Sequence, residues 1–162
     1  MTTYYLEMRS PLALKEKTGA CGLNMVECEL KQFQFNRFLY ELVGQAWNWT
    51  DKLSWTDAQW KAYAHSPDLR TWVAYFRGIP AGYYELQCQL NRDVEIAYFG
   101  LAPEFIGQGF GGYLLTHAIR SAWNIPGTRR VWVHTCNLDH PGALNNYQAR
   151  GMKIYKVETT PR

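Results

Sequence analysis

The chain has 162 residues, 47% hydrophobic and 19% charged, which is enough to bury one core without disulfide or metal staples. Its net charge of +3 is scattered and forms no basic stripe, which argues against a nucleic-acid binder. Charged or polar residues interrupt every apolar run before it reaches a membrane span, and Cys21, Cys28, Cys88 and Cys136 form no CxxC pair. With no apolar signal segment over Met1 to Arg9, the cysteines read as reduced thiols of a soluble, cytoplasmic protein that engages neither membrane nor nucleic acid.

Residues 3–9 read as a first strand, and the aperiodic stretch from Ser10-Pro11 to Asn24 reads as loop. Val26, Cys28 and Leu30 alternate with charged residues, the two-residue repeat of a half-buried strand. Phe35, Phe38, Leu39, Leu42 and Val43 return at three- and four-residue steps, which predicts a helix that Gly44 stops. Thr56-Asp57-Ala58-Gln59 has the form of a capping box, opening a second helix that ends before Pro67. Strands over 71–76, 81–90 and 94–101 form an antiparallel meander joined by turns at Arg77-Gly78-Ile79-Pro80 and Asn91-Arg92-Asp93. A helix over 109–123, a strand over 130–136, a helix over 141–150 and a strand over 152–158 complete the chain. No repeat or linker divides residues 1–162, so one domain is expected.

The most informative run is Ile106-Gly107-Gln108-Gly109-Phe110-Gly111-Gly112, placed between a strand and a helix. Its glycines let the backbone approach a ligand and turn amides outward, at a helix N-terminus whose partial positive charge suits a phosphate. Gly107, Gly109 and Gly112 satisfy the GxGxxG spacing of a dinucleotide fold. That reading lacks its acidic ribose ligand about 20 positions on, since no Asp or Glu stands between Glu104 and Asp139. The antiparallel meander before the loop also differs from a parallel βαβ opening, and a P-loop would need GK[ST] where Gly111-Gly112-Tyr113 stands.

Here the chain resembles the GNAT N-acetyltransferases, whose loop reads Arg/Gln-x-x-Gly-x-Gly/Ala. Gly109-Phe110-Gly111 match it, with Ile106 where the family has Arg or Gln. Ala143, Tyr147, Gly151 and Met152 resemble a second family signature, Asn-x-x-Ala-x-x-x-Tyr-x-x-x-Gly-Phe, with His140 at the Asn position and Asn137 close before it. The resemblance implies an α+β fold of three layers, a twisted, mostly antiparallel mixed sheet of about seven strands flanked by about four helices. It also implies acetyl-CoA as co-substrate. Residues Ile106, Gly107, Gln108, Gly109, Phe110, Gly111 and Gly112 would cradle its pyrophosphate. The backbone of Phe99, Gly100 and Leu101 would hold the pantetheine arm where that strand splays from residues 130–136, and Asn137 or His140 would take the place of the family's Asn.

Acetyl transfer to an amine needs a base for the ammonium, donors for the tetrahedral oxyanion and a proton for the leaving thiolate. The resemblance makes Tyr147 the acid, Glu95 the base and the Phe99 amide an oxyanion donor; packing in the core is the alternative for Tyr147. Glu85 is a rival base. If Leu90 pairs with Val94, Gln89 faces Glu95 and Glu85 faces Phe99, putting both carboxylates on one sheet face. They would stand about 13 Å apart along the strand, so one of them at most reaches a given amine, and either could instead face water. His134, Cys136, Asp139 and His140 cluster in sequence, but a structural zinc needs four ligands, and no metal site is expected. Trp47, Trp49, Trp55, Trp60, Trp72 and Tyr40 crowd the segment where the family builds its acceptor pocket; they read as core, or as an aromatic wall for the amine. The expected activity is direct ternary-complex transfer to a small-molecule or peptide amine by a monomer or homodimer. The alternatives are a CoA-binding sensor, suggested by Ile106 and His140, and a nucleotide binder, suggested by the GxGxxG spacing.

Overall fold

Alternating strands of bulky side chains and two amphipathic helical stretches account for most of the computed structural model, which describes residues 1–19 and 21–161. Ala20, inside the expected loop, and Arg162, the last residue of the expected domain, lie outside the described residues. The strands are β1 (Thr2–Met8), β2 (Asn24–Glu27), β3 (Leu69–Phe76), β4 (Ile79–Cys88), β5 (Asp93–Leu101), β6 (Arg130–Cys136) and β7 (Lys153–Thr159). The helices are α1 (Phe33–Gly44), α2 (Asp57–Ala64), α3 (Gly111–Asn124) and α4 (Ala143–Ala149), with short 3₁₀ turns at Pro11–Ala13, Leu90–Arg92 and Pro103–Phe105. Thr56 and Gln59 close the expected capping box, each backbone N–H bonded to the other's side chain at 3.3 and 2.8 Å.

The strands form one mixed sheet in the order β2-β3-β4-β5-β6-β1-β7, in which the β5–β6 pair alone is parallel. Helices lie on both faces, giving the expected α+β three-layer arrangement. On one face, Leu114, Leu115, Ala118 and Ile119 of α3 and Tyr147 of α4 pack with Leu6, Leu86, Ile96, Val131 and Val133. On the other, Leu39 and Val43 of α1 meet Val73 and Tyr83. A buried hydroxyl ties sheet to helix: Tyr84 lies 2.6 Å from His117 Nδ1 and donates to Ser121 Oγ at 2.9 Å.

Three local expectations are corrected. The second strand ends at Glu27, and Leu30 is exposed, because β2 is an edge strand paired to β3 alone. The face that α1 buries is Asn36, Leu39, Tyr40, Val43 and Gly44, rotated from the purely apolar stripe; Phe38 is exposed, and the polar Asn36 and Tyr40 go inward to bond carboxylates, Asn36 the buried Glu85 and Tyr40 the exposed Asp51. The β4–β5 register also differs. Asn91 and Arg92 adopt left-handed conformations and widen the turn, so Cys88 and not Leu90 stands opposite Val94, and Gln87 opposite Glu95. Ala97 then bulges out of β5, since Leu86 pairs with Ile96 but Glu85 with Tyr98.

The α3 contact is the largest apolar seam between helix and sheet. Ile119 is fully buried there, so Ile119→Ala removes both its transfer free energy and its packing partners. The expected loss is about 2–5 kcal/mol, read as a lower urea midpoint at unchanged m-value.

Candidate active site

Parallel pairing between β5 and β6 covers three positions, Asp93 with Arg130, Val94 with Val131 and Glu95 with Trp132. Beyond Glu95 the strands part, and a cavity of about 790 Å³ opens between them. Its lining joins four places in the chain: β5 from Glu95 to Leu101, the loop from Ile106 to Gly111, α4 with its approach, and the α1–α2 connection from Trp47 to Lys52. Because the gap runs through the sheet, residues of both faces reach it.

On the α3 side, the glycine loop has the geometry its composition demands. Gly107 and Gly109 both have φ +84°, in the region where a Cβ is unfavourable. Among the described residues, no protein acceptor takes the backbone N–H groups from Gly107 to Tyr113, which surround the start of α3. Unpaired amides and a helix dipole are the physical features that favour an anion. Two cations flank it. Lys17 Nζ donates to the Gly109 carbonyl at 3.0 Å, and a Cβ on Gly112 would lie 2.6 Å from Lys17 Cδ and 2.7 Å from Arg150 Nη1. Arg150 Nε and Nη1 are buried with no hydrogen-bond partner among the described residues. Gly112 is therefore small to admit these two side chains and does not line the cavity. Ile106, Gly107, Gly109, Phe110 and Gly111 do line it, whereas Gln108 turns away to donate to the Glu104 carbonyl at 2.9 Å.

The second signature divides in the same way. Tyr147 and His140 line the cavity, His140 accepting from the Gly142 N–H at 2.9 Å and packing edge-on against Trp47. Asn137 does not, since its side-chain oxygen accepts from the Thr2 N–H at 3.0 Å. Asn146 lies in the lining instead and donates to the Gly111 carbonyl at 3.0 Å, fastening α4 to the loop. Tyr147 packs near Phe99, and its hydroxyl makes no hydrogen bond among the described residues. Burial, with the nearby Asp139 charge adding to it, raises its pKa and keeps the phenol protonated.

Across the gap, Glu95 is held by a relay. Trp132 donates to the Gln89 side-chain oxygen at 2.9 Å, Gln89 donates to Glu95 Oε1 at 2.9 Å, and His134 Nε2 lies 3.5 Å from Oε2. Burial raises the Glu95 pKa above the ordinary carboxylate range, with His134 and Gln89 opposing. The two glutamates do share a sheet face, because Gln87, two residues from Glu85 on β4, stands opposite Glu95, and neither stands in open water. Glu85 is 1% exposed and outside the cavity lining. Its carboxylate accepts from Tyr63 OH at 2.5 Å and Asn36 Nδ2 at 2.7 Å, and burial raises its pKa despite these donors. The structure thus brings Glu95 and Tyr147 to one cavity and leaves Glu85 in the core beneath Tyr63.

The aromatic segment also divides. Trp47 and Trp49 line the cavity, while Trp60 and Trp72 are core residues and Trp55 packs on Trp60 and Tyr63. Asp51, Lys52, Tyr63, Tyr98, His134 and Asn146 were not among the expected site residues, nor were the flanking Lys17 and Arg150. Burial opposes charge on Asp51, but hydroxyls from Tyr98 at 2.5 Å and Tyr40 at 2.9 Å, with Lys52, hold its carboxyl below the usual range. No group of three or more His, Cys, Asp or Glu among the described residues is placed to hold a metal ion. Nor is any described helix long and apolar enough to cross a membrane.

The comparisons with known proteins give the family of this fold. The sequence profile of the Acetyltransferase (GNAT) family matches residues 33–152, and the chain belongs to that family. Among solved structures, it is similar to a GCN5-related N-acetyltransferase from Kribbella flavida, with TM-score 0.68 and 17% identity over 95% of this chain and 55% of that one. It is also similar to one from Sphaerobacter thermophilus, with TM-score 0.70 and 15% identity over 96% of this chain and 49% of that one. An IAA acetyltransferase from Bacillus cereus ATCC 14579 gives TM-score 0.62 and 24% identity over 82% of this chain and 79% of that one. At these identities the likeness is one of fold, and the chain spans about half the length of the first two structures. No curated protein matches the sequence.

The burial of Glu85 generates a stability prediction. Glu85→Ala strips the acceptor from Tyr63 OH and Asn36 Nδ2 inside the core, and each orphaned donor costs about 1–3 kcal/mol. Urea unfolding should show that loss, and an unchanged midpoint would remove Glu85 from the structural network.

Proposed function

We propose that the protein transfers the acetyl group of acetyl-CoA to the primary amine of a small molecule or peptide, in a ternary complex without an acyl-enzyme. The observation that carries this reading is the parting of β5 and β6 over unpaired amides at the start of α3, with Tyr147 on one side of the gap and Glu95 on the other. The residues present fit the co-substrate. The amides from Gly107 to Tyr113, with Lys17 and Arg150, would take the pyrophosphate, and the unpaired edge of β5 from Ile96 to Leu101 would take the amide groups of the pantetheine arm.

The chemistry then follows from the two faces of the gap. An acceptor ammonium entering past Trp47, Trp49 and Tyr98 loses its proton to Glu95, directly or through water. A carboxylate raised by burial is a stronger base than one in water, and His134 Nε2 stands 3.5 Å from it. The free amine attacks the thioester carbonyl, and the β5 backbone, with Phe99 N–H as the leading donor, stabilises the oxyanion. As the intermediate collapses the C–S bond breaks, the Tyr147 hydroxyl gives its proton to the departing thiolate, and the nitrogen loses its second proton, which returns to the Tyr147 oxygen through water, leaving CoA thiol and the N-acetylated amine.

At a hundredfold excess over Kd, acetyl-CoA should raise Tm by about 5–10 °C, while NAD and ATP should leave it unchanged. With an active acceptor, Glu95→Gln should lower kcat/KM about 10²- to 10⁴-fold and abolish the acidic limb. That limb should lie above the ordinary carboxylate range, because activity falls as pH drops through the raised Glu95 pKa. Tyr147→Phe should lower kcat about 10²-fold with little change in acetyl-CoA affinity. Tight acetyl-CoA binding with no amine-stimulated CoA release across an amine and peptide panel would replace the enzyme reading by that of a CoA-binding module.

A further inference from the structure

Lys52 places a cation on the cavity wall, where its charge already helps hold the Asp51 carboxyl below the usual range but its N–H groups have no hydrogen-bond partner among the described residues. It is 9% exposed, and it lines the cavity. Its ammonium sits among three aromatic rings, with centroids at 4.1 Å for Trp55, 4.7 Å for Tyr63 and 5.0 Å for Tyr98. Such contacts offset part of the cost of burying a cation, but they accept no conventional hydrogen bond. Among the described residues, no acceptor lies within hydrogen-bond distance of Nζ; the nearest carboxylate oxygen, Asp51 Oδ2, is 3.6 Å away.

The surrounding acids are already committed. Asp51 accepts from Tyr40 and Tyr98, Glu85 from Tyr63 and Asn36, and Glu95 from Gln89 with His134 beside it. An ammonium with three undirected N–H donors, carried on a largely buried side chain with its tip open to a cavity, is an arrangement completed by an anion. An acceptor cation cannot use this aromatic cage, because Lys52 occupies it. The anion should carry a single charge, since a dianion would also meet Asp51 and Glu95. Trp47 and Trp49 on the cavity wall favour an aromatic or apolar body between that anion and the amine.

We infer that Lys52 anchors a carboxylate on the acceptor, so that the substrate class is an amino-acid-like amine with an aromatic or apolar side chain. This rests on the acetyl-transfer reading for the amine, but the anchor itself is measurable without turnover. With CoA present, tryptophan fluorescence titrations would compare 3-phenylpropionate with its neutral isostere 3-phenylpropionamide. The carboxylate should bind at least tenfold more tightly to the native protein, and Lys52→Met should erase that difference while CoA affinity stays within about twofold. Equal affinities in the native protein, binding of neither compound, or a preference that survives in Lys52→Met would each overturn the assignment. Where the variant does not fold, the native comparison decides alone. In parallel, CoA release would be measured with phenylalanine and phenethylamine. Carboxylate preference without release from any amine overturns the acetyl-transfer reading and keeps the Lys52 anchor. Release from both amines at equal kcat/KM, with no carboxylate preference, overturns the anchor and keeps acetyl transfer.

Discussion

Everything at the candidate active site depends on β5 leaving β6 after three paired residues. Backbone groups on a strand edge need partners, and a parting inside a seven-stranded sheet exposes a row of them toward a cavity. The bulge at Ala97 shapes the exposed segment. In an unbroken strand, residues three apart face opposite sides, so Glu95 and Tyr98 would be separated; the extra residue brings both to the α1 side of the sheet. Ile96 and Phe99 stay with α3 and α4. One irregular residue thus lets a single strand face Glu95 into the acceptor end and Phe99 toward Tyr147.

The second organising feature is the sorting of carboxylates by burial and donors. Glu85 and Glu95 are close in sequence and both raised by desolvation, yet their neighbours give them different work. Two donors fasten Glu85 between α1, α2 and β4. Glu95 is oriented through Gln89 and Trp132 and keeps one oxygen toward His134 and the cavity. The same logic applies to the cations at the other end. Arg150 and Lys17 approach the first turn of α3 because Gly112 leaves room, adding full charges to the partial charge of a helix N-terminus.

Most of the fold was legible in the sequence because its elements are locally consistent. The capping box at Thr56, the apolar face of α3 and the alternation in β3 to β6 each follow from side chains within one element. What escaped is non-local. The inward turn of Asn36 depends on Glu85, which comes 49 residues later. The β4–β5 register depends on two left-handed residues, Asn91 and Arg92, neither of them glycine. In the site, loop glycines and Tyr147 stood out by spacing, but Lys52 sits in an aperiodic connection between helices, where no spacing marks it out. Its aromatic neighbours come from the same loop, α2 and β5, and only the folded chain assembles them. Asn137 was expected as a cofactor contact through sequence proximity; its side-chain oxygen accepts from the Thr2 N–H outside the cavity lining, and Asn146 lies in the lining.

The central claim is that the gap between β5 and β6, with the amides at the head of α3, is where a CoA thioester binds. Backbone ¹⁵N–¹H NMR during titration with CoA tests it at the level of single amides. The account predicts saturable shifts concentrated on residues 107–113 and 96–101, with Asn146 and Tyr147 following. Unmoved amides in both segments, with shifts gathered elsewhere on the protein, would contradict it.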